Sequence, residues 1–152
     1  MSHLEESIEI AAHPQTIWSY VQDYRRRTEW DKTVTSFEPI GTDRVGKGVA
    51  VRVKSAGPPP FEYEAVYVSF EPYIVSAVKQ TRPIKNVPFA RSAGSWRYQD
   101  LGNGRTRFSM TFEYEPKWGL LGRLLDTLLM RSAIRRSMRD SLTSLKRAID
   151  GK

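Results

Sequence analysis

The sequence predicts an α+β domain in which about seven antiparallel strands curve around a long C-terminal helix. Three observations carry this. Residues 105–115 alternate over a full strand, with Thr106, Phe108, Met110, Phe112 and Tyr114 on one face and Arg105, Arg107, Ser109, Thr111, Glu113 and Glu115 on the other. Further β-branched and aromatic runs precede it, divided by glycine and proline breaks. Residues 119–149 then switch to helical spacing, with Ile134, Met138, Leu142, Leu145 and Ile149 in one stripe.

Taken in order, residues 4–10 read as a first strand. His13-Pro14 opens a helix, with Pro14 at its first position and Ile17, Trp18, Tyr20, Val21 and Tyr24 on its apolar side. A short second turn is expected around Arg26 to Trp30. Residues 34–40, 49–54, 61–70 and 73–80 read as strands, with Glu71-Pro72 breaking between the last two. Loops are expected over 55–60 and 82–88, which together hold five of the nine prolines. Residues 90–99 and 105–115 form a hairpin about Gly102-Asn103-Gly104. The last helix, about 45 Å long, starts near Gly119. Its first half carries two leucine rows, Leu120/Leu124/Leu128 and Leu121/Leu125/Leu129, so it is expected to be buried from two sides. A strongly curved sheet and one helix leave a gap between them, and such gaps take apolar ligands.

Composition narrows the chemistry. The 152 residues contain no cysteine, which excludes disulfides, thiol nucleophiles and thiolate metal sites, and only two histidines, His3 and His13. No Ser-His-Asp set or histidine pair is present, no metal site or cofactor is expected, and Gly41, Gly46 and Gly48 do not form a phosphate loop. The length fits one domain over 1–152. No apolar run reaches the roughly 18 residues of a spanning helix, and the N-terminus lacks the apolar core of a signal peptide, so a cytoplasmic address is expected. Six of the seven net positive charges fall in 117–152, where nine bases meet three acids. That stretch is a solvated helix face, or it meets an anionic membrane or an acidic protein. Nucleic acid is disfavoured, because no aromatic follows Trp118 to stack a base.

Ser7-Ile8-Glu9-Ile10-Ala11, Pro14, Ile17-Trp18, Asp23 and Glu29-Trp30-Asp31 form a succession that resembles the opening of the polyketide cyclase/dehydrase-like branch of the helix-grip superfamily, which includes START domains and plant allergens. Tyr114-Glu115-Pro116, Gly119-Leu120-Leu121-Gly122-Arg123-Leu124 and the basic helix to Lys146 resemble its close. The resemblance runs over nearly the whole chain. It implies a helix-grip fold with a cavity for a hydrophobic ligand, and it implies no particular reaction.

Trp96, Tyr98, Phe108, Met110, Phe112 and Tyr114 share one side of the hairpin and are the candidate cavity wall, or else a filled core. If buried, the hydroxyls of Tyr98 and Tyr114 each need a partner. Tyr63 and Tyr67 join that wall if they face inward, which leaves Glu62 and Glu64 outside to pair with Arg52 or Lys54. The opposite register would bury Glu64 as an acid–base candidate. Leu124 and Leu128 are expected to close the cavity from the helix side. Trp30 is either an aromatic wall at the rim or a core wedge, and Asp31 is either a cap or an acid. The readings that follow are a carrier or sensor of a lipid-like, aromatic or polyketide-like compound, an aromatase/cyclase or dehydratase, and a surface module using the basic helix. The chain is expected to be a monomer or homodimer.

Overall fold

The computed structural model describes residues 2–151. Strands β1 (Ser2–Ile10), β2 (Val34–Pro39), β3 (Ala50–Ser55), β4 (Phe61–Glu71), β5 (Val75–Lys85), β6 (Phe89–Gly102) and β7 (Arg105–Pro116) form one antiparallel sheet in the order β1-β7-β6-β5-β4-β3-β2. Helix α1 (Pro14–Val21), a 3₁₀ turn (Tyr24–Arg26) and α2 (Arg27–Trp30) follow β1. After β7 come α3 (Gly119–Leu125), a π-helical turn (Asp126–Met130) and α4 (Arg131–Asp150). The curled sheet and the C-terminal helix make the helix-grip fold.

Alternation decides the sheet's two faces. Thr106, Phe108, Met110 and Tyr114 are buried on the concave side with Trp96 and Tyr98 of the paired strand. The convex side is tied by exposed cross-strand ion pairs, Arg105 and Arg107 on Glu9 and Arg91 on Glu115. Such pairs are worth roughly 0–1 kcal/mol each. Ala65 and Tyr67 are buried, so β4 takes the register with its tyrosines inward. Glu64 pairs with Arg82 of β5, not with Arg52 or Lys54 of β3, although Arg52 lies opposite it in the ladder.

Two elements depart from expectation. β5 runs on through Pro83 to Lys85, where a loop was expected. Its pairing with β6 ends at Lys79–Ala93, so the outer edge of its second half carries no ladder for a proline to break. The last helix is not one uninterrupted α-helix. Asp126 is drawn inward, 4% exposed, accepting from the hydroxyls of Tyr114 and Ser2, and the turn there widens to a π-helix. Gly122 lets α3 start in this place. A Cβ there would lie 1.6 Å from the Lys117 carbonyl oxygen.

α4 carries the predicted stripe. Met138, Leu142 and Leu145 are buried, with Ile134 and Ile149 packed at their edges. Met138→Asp should therefore cost several kcal/mol by burying an unpaired charge, while Arg139→Asp loses one exposed pair to Glu6, about 1 kcal/mol or less. Denaturant midpoints of the two variants check this, and equal midpoints would put the stripe on the wrong face.

Candidate functional site

The sheet's curl and the early parting of β5 from β6 leave an interior volume beneath α4. The cavity holds about 610 Å³. Its walls are Val53, Tyr63, Phe89, Gly94, Trp96, Met110 and Phe112 from the sheet, and Leu125, Leu129, Ala133, Ile134 and Met138 from the helical arm. The loop Gly57–Pro59, Asn86, Pro88 and Trp118 also border it. Trp118 is 63% exposed and Pro58, Pro59, Asn86 and Leu129 are exposed as well, so the mouth lies between these loops and the start of the arm.

Of the predicted wall residues, the structure brings Tyr63, Trp96, Met110 and Phe112 to the cavity. Tyr67, Tyr98, Phe108 and Tyr114 are buried in packed core instead. The two hydroxyls that needed partners find them within the protein. Tyr98 accepts from Gln22 Nε2 at 3.1 Å, and Tyr114 donates to Asp126. Leu124 and Leu128 do not close the cavity. They are exposed, because the buried phase of the arm is taken by Gly122 and Asp126, with Leu125 and Leu129 at the edge of the cavity mouth. The expectation that both leucine rows are buried fails for the same reason. Trp30 is not at the rim either. It is fully buried, edge-on to Phe108 at 6.2 Å between ring centroids, and wedges α2 into the core.

One feature was not anticipated. Arg27, 3% exposed, borders the cavity from α2. Its Nε donates to Asp31 Oδ2 at 2.7 Å, one helical turn later. The guanidinium carbon lies 4.1 Å from the Phe37 centroid, 4.5 Å from Trp96 and 5.1 Å from Trp30. Aromatic faces thus take up part of the charge that water would otherwise solvate. Burial by itself would lower the Arg27 value, but the Asp31 carboxylate together with Tyr67 and Tyr98 holds the guanidinium above its ordinary value. Asp31, 1% exposed, also accepts from Thr33 N at 3.0 Å, from Thr33 Oγ1 at 2.6 Å and from Ser141 Oγ at 3.4 Å. Its role is to hold the arginine, and its oxygens are engaged. The signal in the sequence is the i,i+4 spacing of Arg27 and Asp31 across Trp30.

Two further donors meet this corner. Trp96 Nε1 is buried and unbonded. Tyr63 lines the cavity and feels both charges. Burial pushes its hydroxyl up to about 12, with Asp31 adding and Arg27 opposing. Burial also raises Tyr67, Tyr98 and Tyr114. A hydroxyl raised in the folded state stabilises the fold in its neutral form. That contribution is whole below the unfolded value of about 10 and is lost as pH climbs from there through about 12 for Tyr63. Stability should therefore fall above about pH 10. Tyrosinate absorbance followed alongside thermal unfolding should find these four ionising above about pH 10, as stability falls.

The family described as "Polyketide cyclase / dehydrase and lipid transport" matches residues 1–150. The chain superposes on TTHA0849 of Thermus thermophilus with a TM-score of 0.80 at 17% identity, over 99% of this chain and 98% of that one. It superposes on the Zhui aromatase/cyclase of Streptomyces sp. R1128 with a TM-score of 0.70 at 17% identity, over 97% and 95%. A START superfamily protein of Mycobacterium smegmatis gives 0.73 at 12% identity, over 98% and 97%. At these identities the likeness is one of fold. An uncharacterized membrane protein of Bacillus subtilis, YndG, is 26% identical over 135 residues, 82% of this chain and 48% of the relative. The chain thus spans about half the length of the curated relative it matches. Among the described residues no helix is long and apolar enough to cross a membrane.

Proposed function

This chain belongs to the polyketide cyclase/dehydrase and lipid transport family, and from that premise we propose that it binds, as a carrier or sensor, one hydrophobic small molecule bearing a hydrogen-bond acceptor. Fold and family support hydrophobic-ligand binding or cyclase activity in general. The observation that carries the finer reading is the cavity itself: about 610 Å³ of mostly apolar wall, with the donors Arg27, Tyr63 and Trp96 in one corner. An apolar chain or ring system fills the volume. A carbonyl or ether oxygen meets Tyr63 and Trp96, whose buried indole N–H otherwise lacks an acceptor among the described residues. The Arg27–Asp31 pair is neutral overall, so a neutral acceptor suits this corner better than a free anion. Burying about 300 Å² of apolar ligand surface gains roughly 7 kcal/mol before the costs of association, enough for micromolar binding.

Binding is favoured over catalysis by the state of Asp31. A cyclase needs a proton acceptor at the substrate, and this carboxylate is committed to Arg27, Thr33 and Ser141. The test is titration with an apolar dye whose emission rises on leaving water. One saturable site is expected, emptied competitively by long-chain or polycyclic ketones. A protein that never brightens the dye, or one that keeps it bound in excess ketone, refutes the reading.

A further inference from the structure

A helix on a protein surface normally turns its apolar side inward. The arm from Lys117 to Arg131 is apolar on both sides. Leu125 and Leu129 border the cavity at its mouth, Leu129 itself 67% exposed, while Leu120, Leu121, Leu124 and Leu128 lie outside it, with Leu120 82% and Leu128 64% exposed. Trp118, at the cavity mouth, continues this ridge. A contiguous exposed apolar patch of this kind marks an interaction surface.

The charge around the ridge selects the partner. Lys117, Arg123 and Arg131 flank it, and none has an ion-pair partner within 4.0 Å among the described residues. The arm's only acid, Asp126, is buried beneath Tyr114 and Ser2. Further along, Arg135 and Arg139 share Glu6 and Lys146 meets Asp150, while Arg136 and Arg147 continue the positive charge of the ridge along α4. A second copy docked here by a twofold axis would set these cations against their own images. An anionic bilayer offers acyl chains to leucine and tryptophan and headgroup phosphates to the bases.

We propose that the 117–131 arm docks this protein on an anionic lipid bilayer, with the cavity mouth facing the membrane. Docking stands on the ridge and its charges alone. Its use in moving an apolar ligand between bilayer and cavity rests on the binding function proposed above.

Flotation with phosphatidylcholine vesicles, with and without phosphatidylglycerol, tests the docking. The wild type should partition onto the anionic vesicles and come off as salt is raised. Leu124→Ser with Leu128→Ser should weaken partitioning at least about tenfold. Lys117→Gln with Arg123→Gln should weaken it about fivefold per charge. Both pairs change side chains outside the cavity wall, exposed at Arg123, Leu124 and Leu128 and half-buried at Lys117, so melting temperature and dye binding in lipid-free solution should match the wild type. Loss of dye binding with intact flotation would overturn the cavity reading and leave the docking in place. The docking falls if phosphatidylglycerol adds nothing, if either variant floats like the wild type, or if sedimentation finds a dimer that the leucine variant dissolves.

Discussion

Asp31→Ala is expected to cost roughly 3–5 kcal/mol of folding stability, out of a total that for a domain is about 5–15 kcal/mol. The substitution strands the Arg27 guanidinium, 3% exposed on its aromatic bed of Trp30, Phe37 and Trp96. It also removes the acceptor of the Thr33 N–H and hydroxyl, which closes the turn after α2. At this chain length the melting temperature should fall by roughly 6–20 °C. The physical claim is that the loss comes from an uncompensated charge and not from a missing attraction. Arg27→Met combined with Asp31→Leu should therefore recover most of it. A double variant as unstable as Asp31→Ala would contradict that, and calorimetry of the three proteins decides it.

The second large effect is on binding. Gly94 sits on β6 opposite Phe112 and borders the cavity. A Cβ there would meet the Thr111 carbonyl oxygen at 3.6 Å and Phe112 Cδ1 at 3.8 Å, both ordinary contacts. The rest of a leucine side chain then has the cavity to occupy. Gly94→Leu should leave the fold intact, or stabilise it by filling space, and weaken dye binding by about tenfold or more. Phe112→Trp should act in the same direction more weakly, since it enlarges an existing wall. Fluorescence titrations with melting temperatures on the same samples separate a filled cavity from a damaged fold. A Gly94→Leu protein that melts like the wild type and binds dye equally well would place the dye elsewhere.

The sheet was legible because its two faces have different chemistry. Along β7 each inward residue is apolar and each outward one polar, Thr106 at the strand's start excepted, and one-residue slippage would invert every side chain. The stripe of α4 was legible for the same reason at helical period. The arm 119–130 was not, since leucines occur on both of its sides and periodicity cannot say which row turns inward. That was decided by Asp126, whose long-range bonds to Tyr114 and Ser2 no local pattern encodes. The cavity wall was half legible. Inward direction could be read, and residual space could not, because it depends on β5 leaving β6 after Lys79. Arg27 was missed because it stands in a run of three arginines, where a charged residue is ordinarily solvated.

On the function proposed, an acceptor-bearing apolar molecule enters this cavity and meets the donors around Arg27. Trp96 reports on that directly, because its indole N–H is buried at the cavity wall with no acceptor among the described residues. Nitrogen-15 NMR resolves the indole signals of the four tryptophans, with Trp96→Phe assigning the one in question. A long-chain ketone is predicted to move the Trp96 indole signal saturably, and further than the hydrocarbon of equal length does, while Trp118 at the mouth moves less. A Trp96 signal that stays in place with both compounds, or shifts confined to Trp118, would contradict the account.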